Sequence, residues 1–174
     1  MTSYNLYDGT VVYFAGGMRA LAHILSKAEQ HCKENNIPEK EFMEASLAPD
    51  MKPLTFQIQT ASDTSRKAVS RLTGSQLTSI PDTESTFAEL QARIAKTQEV
   101  LEATKKEDWN FDIAEEITVP LGPREMTFTK KSYAEGFAVP NFYFHVVTAY
   151  AILRMKGVNI GKADYLRPIM GVPA

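Results

Sequence analysis

With 174 residues, 44% apolar and 23% charged, and a net charge of −2, the chain has the size and composition of one globular domain, residues 1–174. The acidic balance argues against nucleic-acid binding: residues 82–116 carry ten acidic side chains against four basic ones, a field that repels a phosphate backbone. A single cysteine, Cys32, excludes an internal disulfide framework and a multi-cysteine zinc site, and fits a reducing, cytoplasmic setting.

The N-terminus lacks a basic leader and carries Asp8 in its first apolar stretch, which argues against a secretory signal. A first helix is expected from Tyr4 to Asn35, with a stripe of Tyr7, Val11, Phe14, Met18, Leu21, Leu25 and Ala28. Gly16-Gly17 lies inside it, where each glycine costs roughly 1 kcal/mol against alanine. The compensating gain is the close approach of a neighbouring helix or subunit. Asn35-Asn36 and Pro38 end this helix.

A connector, 38–52, holds one helical turn near Lys40–Ala45. Asp50 is the expected N-cap of a second helix, with Pro53 in its first turn and Gly74 at its C′ position. That helix places Leu54, Ile58, Ala61, Ser65, Ala68 and Leu72 on one face. Asp63 lies opposite Leu54 and Leu72 and reads as a solvated ion pair with Lys67. After a loop with Pro81, Asp82 or Thr83 is expected to cap a third helix. Its stripe is Phe87, Leu90, Ile94, Thr97 or Gln98, and Leu101, with Arg93, Lys96 and Glu99 off it.

The period then changes from helical to alternating. Ile117–Leu121 and Glu125–Thr129 flank Gly122-Pro123 and read as a hairpin, with Pro120 at an edge or bulge. A fourth helix, Lys131 to Lys156, is expected to kink at Pro140 and to close at Gly157. Residues 158–174 are expected to drape over the bundle. The fold class is therefore all-α: a four-helix bundle with a short β-hairpin between helices three and four.

The fourth helix carries the most informative pattern. Its run Phe137–Leu153 is apolar almost all round, yet Asn141, His145 and Thr148 share one face. It is too short and too interrupted for a membrane span of ~18 uninterrupted apolar residues. A buried polar group without a partner costs about 1–3 kcal/mol, so the seam serves either a structural network or a ligand. His145 is the candidate polarising or proton-transferring residue. Asn141, Thr148, Phe142 and Tyr150 are candidate ligand contacts, among other aromatics that include Tyr4, Tyr13, Tyr143 and Phe144. His23 is expected to be exposed or at a secondary interface, and His31 to lie in polar last turns. Neither supplies an inward ligand, so a three-histidine site is not expected and no metal residue is assigned. A divalent ion would need water and carboxylates to complete its shell. Cys32 has no catalytic partner in reach, and no nucleophile elbow, P-loop or dinucleotide fingerprint is present. A helix apolar on this many faces must be covered by a second subunit or by the hairpin and tail, and a homodimer is the simplest source of that burial.

Three segments resemble an uncharacterised domain family of bacteria and fungi, related to the DinB-like superfamily of four-helix bundles. They are Leu47–Leu54, Phe87–Ile94 and above all Pro140–Arg154. The resemblance implies a DinB-like bundle, commonly dimeric. It also implies, for the better-known relatives, thiol-dependent transferase or isomerase chemistry on a metal held by three histidines. One of those histidines comes from helix two and two from an H-x-x-x-H pair in the last helix. This chain has no histidine between 53 and 73, and around His145 the positions four away are Asn141 and Ala149. The resemblance thus carries over the bundle and not the metal site. Some family members are labelled helix-turn-helix proteins, which the charge balance here opposes. Three readings follow: a small-molecule-binding or enzymatic bundle with a pocket around His145, a non-enzymatic dimer whose seam fixes the interface, and a metal-dependent transferase or isomerase with an atypical site.

Overall fold

The computed structural model describes residues 4–172. The chain opens on a single turn, α1 (Leu6–Gly9), closed by a capping box between Asn5 and Asp8. The long helix α2 (Val11–Asn35) starts separately, because the backbone of Thr10, at φ −129° and ψ −72°, leaves the helical region and breaks the expected continuous helix. Asn36, in the left-handed region at φ 53°, ends it. A turn, α3 (Lys40–Met43), leads to α4 (Leu54–Thr73) and α5 (Phe87–Ala103).

Both expected N-caps are displaced. Asp50 does not cap α4; Pro53 holds that position, and the Leu54 amide donates to the Ala45 carbonyl instead. Thr86, not Asp82 or Thr83, caps α5, in a reciprocal box with Glu89. Gly74 ends α4 at φ 75°, as the pattern predicts.

A 3₁₀ turn, Lys106–Trp109, precedes the hairpin of β1 (Glu116–Leu121) and β2 (Arg124–Thr129). The strands pair antiparallel from Glu116↔Thr129 to Leu121↔Arg124, leaving Gly122 and Pro123 as the two-residue turn. Ser132–Ala138 is π-helical and runs directly into α6 (Val139–Met155). Pro140 therefore causes neither a stop nor a simple kink. A proline lacks the N–H for the ladder and crowds the carbonyl one turn back, and a widened turn relieves both.

Helices α2, α4, α5 and α6 form the bundle. In it α2 packs against α5 and α6, and α4 against the same two helices. The core runs through Phe14, Leu21, Ile58, Leu90, Phe142 and Ile152, all fully buried. The expected glycine contact is made inside the chain: Gly17 faces the Phe142 ring of α6, and Gly16 faces Ile169. By length and composition Ser132–Met155 could cross a membrane. In this fold Phe142, Val146, Ala149, Ile152 and Leu153 form its core-facing side.

The C-terminal segment is more ordered than a draped tail. A helix, α7 (Lys162–Ile169), packs along α2; residues 173 and 174 lie outside the described region. Arg19 donates to the Pro168 carbonyl at 2.9 Å, and Asp164 meets Lys27 at 2.7 Å and His23 at 3.2 Å. His23 is thus half-buried under α7 rather than free on the surface.

Candidate functional site

The seam of α6 faces α4, and it divides into two environments. At its first residue, Asn141 donates from Nδ2 to Thr64 Oγ1 at 2.9 Å. This pair lines an open cleft of about 330 Å³ between α4, the hairpin turn and the π-helical segment. Gln59, Thr60, Asp63 and Arg71 line it from successive turns of α4, Tyr133 and Phe137 from the π segment, and Leu121 and Gly122 from the hairpin turn. The i, i+4 spacing of α4 aligns its polar residues opposite the buried Leu54–Leu72 stripe. That second face is the floor of the cleft.

One turn along α6, the surroundings of His145 are different. The ring is 8% exposed and its Nδ1 lies 2.7 Å from Gln57 Oε1. Gln57 donates its own Nε2 to the Lys52 carbonyl at 2.8 Å, so its oxygen faces the imidazole and Nδ1 carries the proton. Burial pushes the His145 pKa down, favouring the neutral ring. Phe56 and Phe144 meet it edge-on, at 6.0 and 5.3 Å between centroids. Thr148 closes the seam without reaching outward: its hydroxyl donates to the Phe144 carbonyl one turn back, at 2.7 Å.

The remaining expected contacts scatter. Phe142 is fully buried against Phe14 and Gly17, and so belongs to the core. Tyr150 lines a separate apolar cleft with Val147, Lys162 and Tyr165. Cys32 is buried and free, with its thiol pushed up by burial. Tyr4 and Tyr13 are exposed rather than packed in the core.

Two residues matter more than their helical phase implies. Arg93, off the stripe of α5, has a side chain only 1% exposed. It reaches Asp63 at 2.9 Å, Asp82 at 2.9 Å and Glu84 at 2.8 Å. Asp63 is accordingly not a simple surface partner of Lys67: it joins Lys67 at 2.7 Å, Arg93, and Arg66 at 3.7 Å. Although burial opposes it, hydrogen bonds from Arg93 and Gln59 hold the Glu84 carboxyl below its ordinary value. The cluster ties the 75–86 loop onto the α4–α5 face, at one edge of the cleft. The signal available in the sequence was three carboxylates in 63–84 with an arginine one helix later. Nothing in helical periodicity joins them.

The metal implied by DinB-like relatives does not fit these residues. Asn141 is bonded to Thr64, the His145 Nδ1 is bonded to Gln57, and position 149 is an alanine. Among the described residues, no three His, Cys, Asp or Glu side chains gather as a metal site.

The fold and this site define a DinB-like helical bundle that carries an amide and a hydroxyl beside a single imidazole. The chain belongs to the family described as Domain of unknown function (DUF1993), whose model matches residues 6–166. It is similar to a crystal structure described as a DinB family member protein from Shewanella denitrificans. That structure is 38% identical, with a TM-score of 0.86, over 92% of this chain and 91% of the other. No curated protein matches the chain.

Proposed function

We propose that this chain binds a small organic molecule in the cleft between α4, the hairpin turn and the start of α6. One observation carries the reading: a cavity of about 330 Å³ gathers Asn141, Thr64, Arg71 and Tyr133 over a floor of polar α4 residues. Small-molecule sites typically measure 300–1,000 Å³ and combine apolar walls with a few fixed polar groups. Asn141 is the seam's contribution to this site. His145, one turn beyond, does not line this cleft and its Nδ1 is engaged by Gln57, so ligand binding here rests on Asn141 and its neighbours and not on the imidazole. The donors at hand favour metal-independent binding in a cytoplasmic protein. A fragment screen followed by side-chain amide and methyl NMR tests the proposal. Hits should cluster on Asn141, Gln59, Thr64 and Leu121, and should weaken in Asn141→Leu. Hits that avoid these residues overturn it.

A second observation favours self-assembly alongside ligand binding. Phe144 is 58% exposed and Phe56 37%, and both rings lie edge-on to His145, while Val147, 49% exposed, follows Phe144 one turn along α6. The His145 Nε2 makes no bond within the described residues and is not sealed from solvent. We propose that this face pairs two copies, with His145 setting the register as a buried polar residue does in a coiled coil. Sedimentation should show a dimer that Phe144→Glu converts to monomer. A wild-type monomer at about 100 μM, where even weak pairing registers, overturns it.

A further inference from the structure

We infer that the cleft takes a small organic acid, whose carboxylate is received by Arg71 and Tyr133. This deepens the ligand-binding reading above and rests on it.

The first argument is charge. Around the cleft, the carboxylates of Asp63, Asp82 and Glu84 are matched by Arg66, Lys67 and Arg93, through the contacts already described. Arg71 also lines the cleft, and among the described residues it meets no carboxylate. It is the surplus cation of the site.

The second argument is hydrogen bonding. Arg71 Nη1 donates to the Tyr133 hydroxyl at 3.0 Å, and its guanidinium lies 5.7 Å from the centre of the Tyr133 ring. That contact uses one of the five N–H groups of the arginine. The Tyr133 oxygen accepts this bond, and its own proton has no acceptor among the described residues. Tyr133 is 1% exposed and is one of the residues lining the cleft. Burial pushes the Tyr133 pKa up, keeping the phenol protonated and therefore a donor. Two donors converge at this end of the cleft, one charged and one neutral. An oxyanion is the complement of that pair, and guanidinium–carboxylate bonds are among the stronger hydrogen bonds available.

The rest of the lining selects among oxyanions. Asp63 and Asp82 border the same cavity, which disfavours a phosphate dianion. Phe137, Pro120 and Leu121 supply an apolar wall beside the donors, which suits an aryl or short alkyl body.

The test uses benzoate as the probe, with benzamide as its neutral analogue and phenyl phosphate as the alternative anion. Each is titrated into the full chain while the methyls of Thr60, Thr64 and Leu121 are followed by NMR. Benzoate should shift them saturably, and benzamide should bind at least tenfold more weakly. Arg71→Gln should weaken benzoate at least tenfold, and Tyr133→Phe, which keeps the core ring, by about threefold. A melting temperature within a few degrees of wild type guards each variant against misfolding. Equal binding of benzamide and benzoate, or unchanged benzoate binding in both variants, overturns the carboxylate site and leaves ligand binding at the cleft standing. Tighter binding of phenyl phosphate than of benzoate overturns the carboxylate in favour of phosphate. No shift with any of the three overturns the carboxylate site; it extends to the cleft itself if the fragment screen also finds nothing there.

Discussion

Gln57 and His145 fix one another across the α4–α6 interface. The amide of Gln57 is spent on the Lys52 carbonyl, so its oxygen receives the His145 Nδ1 proton at 2.7 Å. The contact leaves Nε2 as the acceptor and the ring neutral. The buried polar cost of the seam is therefore met by a neighbouring helix rather than left unpaid.

This pairing has a pH signature. Burial lowers the folded pKa of His145 below its ordinary value of 6.5, so between those values the unfolded chain binds more protons. The stabilisation is complete above pH 6.5 and is lost as pH falls below it, with a slope of at most about 1.4 kcal/mol per pH unit. Urea denaturation from pH 7.5 to 5 should show this fall in wild type and a flatter profile in His145→Leu. Equal slopes in the two proteins contradict the assignment.

Gly17 is required by a ring. A β-carbon there would stand 2.6 Å from Phe142 Cζ, against a fully buried side chain in the core. Gly17→Ala should cost about 1–3 kcal/mol through overpacking. Gly136 meets nothing within 4 Å, so Gly136→Ala should be neutral or stabilise by up to about 1 kcal/mol. Chemical denaturation of the two variants side by side checks the contrast, which fails if Gly17→Ala is as well tolerated.

Arg93 holds three carboxylates in place. Removing its charge leaves the buried Glu84 carboxylate with only the Gln59 amide as a side-chain partner, while Asp63 keeps Lys67 and Arg66 and Asp82 turns to solvent. Arg93→Met should cost about 3–5 kcal/mol, the range for breaking a buried charge cluster on one side. It should also speed protease cleavage within 75–86, since the arginine additionally binds the Pro81 carbonyl at 3.1 Å. A variant with wild-type stability and the same cleavage rate would show that the loop is held by other contacts.

Docking of α7 depends on Asp164. Burial works against this carboxylate, but Lys27, the Gly161 amide and His23 together hold its pKa far below the ordinary 3.8. The stabilisation is present above pH 3.8 and is lost as pH falls through the folded value. Asp164→Asn at neutral pH should cost about 1–2 kcal/mol and raise hydrogen exchange in 162–169 before the rest of the chain. Uniform exchange across all helices would place α7 inside the global unfolding unit instead.

Much of the architecture is written in local patterns. The stripes of α2, α4 and α5 emerge from the 3.6-residue period, and Gly74 from the need for a left-handed terminus. The hairpin shows in the switch to alternation around Gly122-Pro123, and its observed register agrees with that centre. The exact caps were less legible. Asp50, Asp82 and Thr83 are all competent capping residues, yet none of them serves, because distant partners such as Arg93 and the Ala45 carbonyl decide where each loop is drawn.

The sequence by itself determined the four long helices, the hairpin, the bundle and the presence of a polar face on its most apolar helix, but not the break at Thr10 or the helix α7. A repeating side-chain phase commits a segment to one buried face whatever its neighbours are. Only the tertiary structure decided what lies against the other faces. It placed Asn141 over an open cleft, closed His145 against Gln57, brought Arg71 to Tyr133 across 62 residues, and drew Arg93 under the loop. Those pairings depend on contacts between segments far apart in the chain, which no local period encodes.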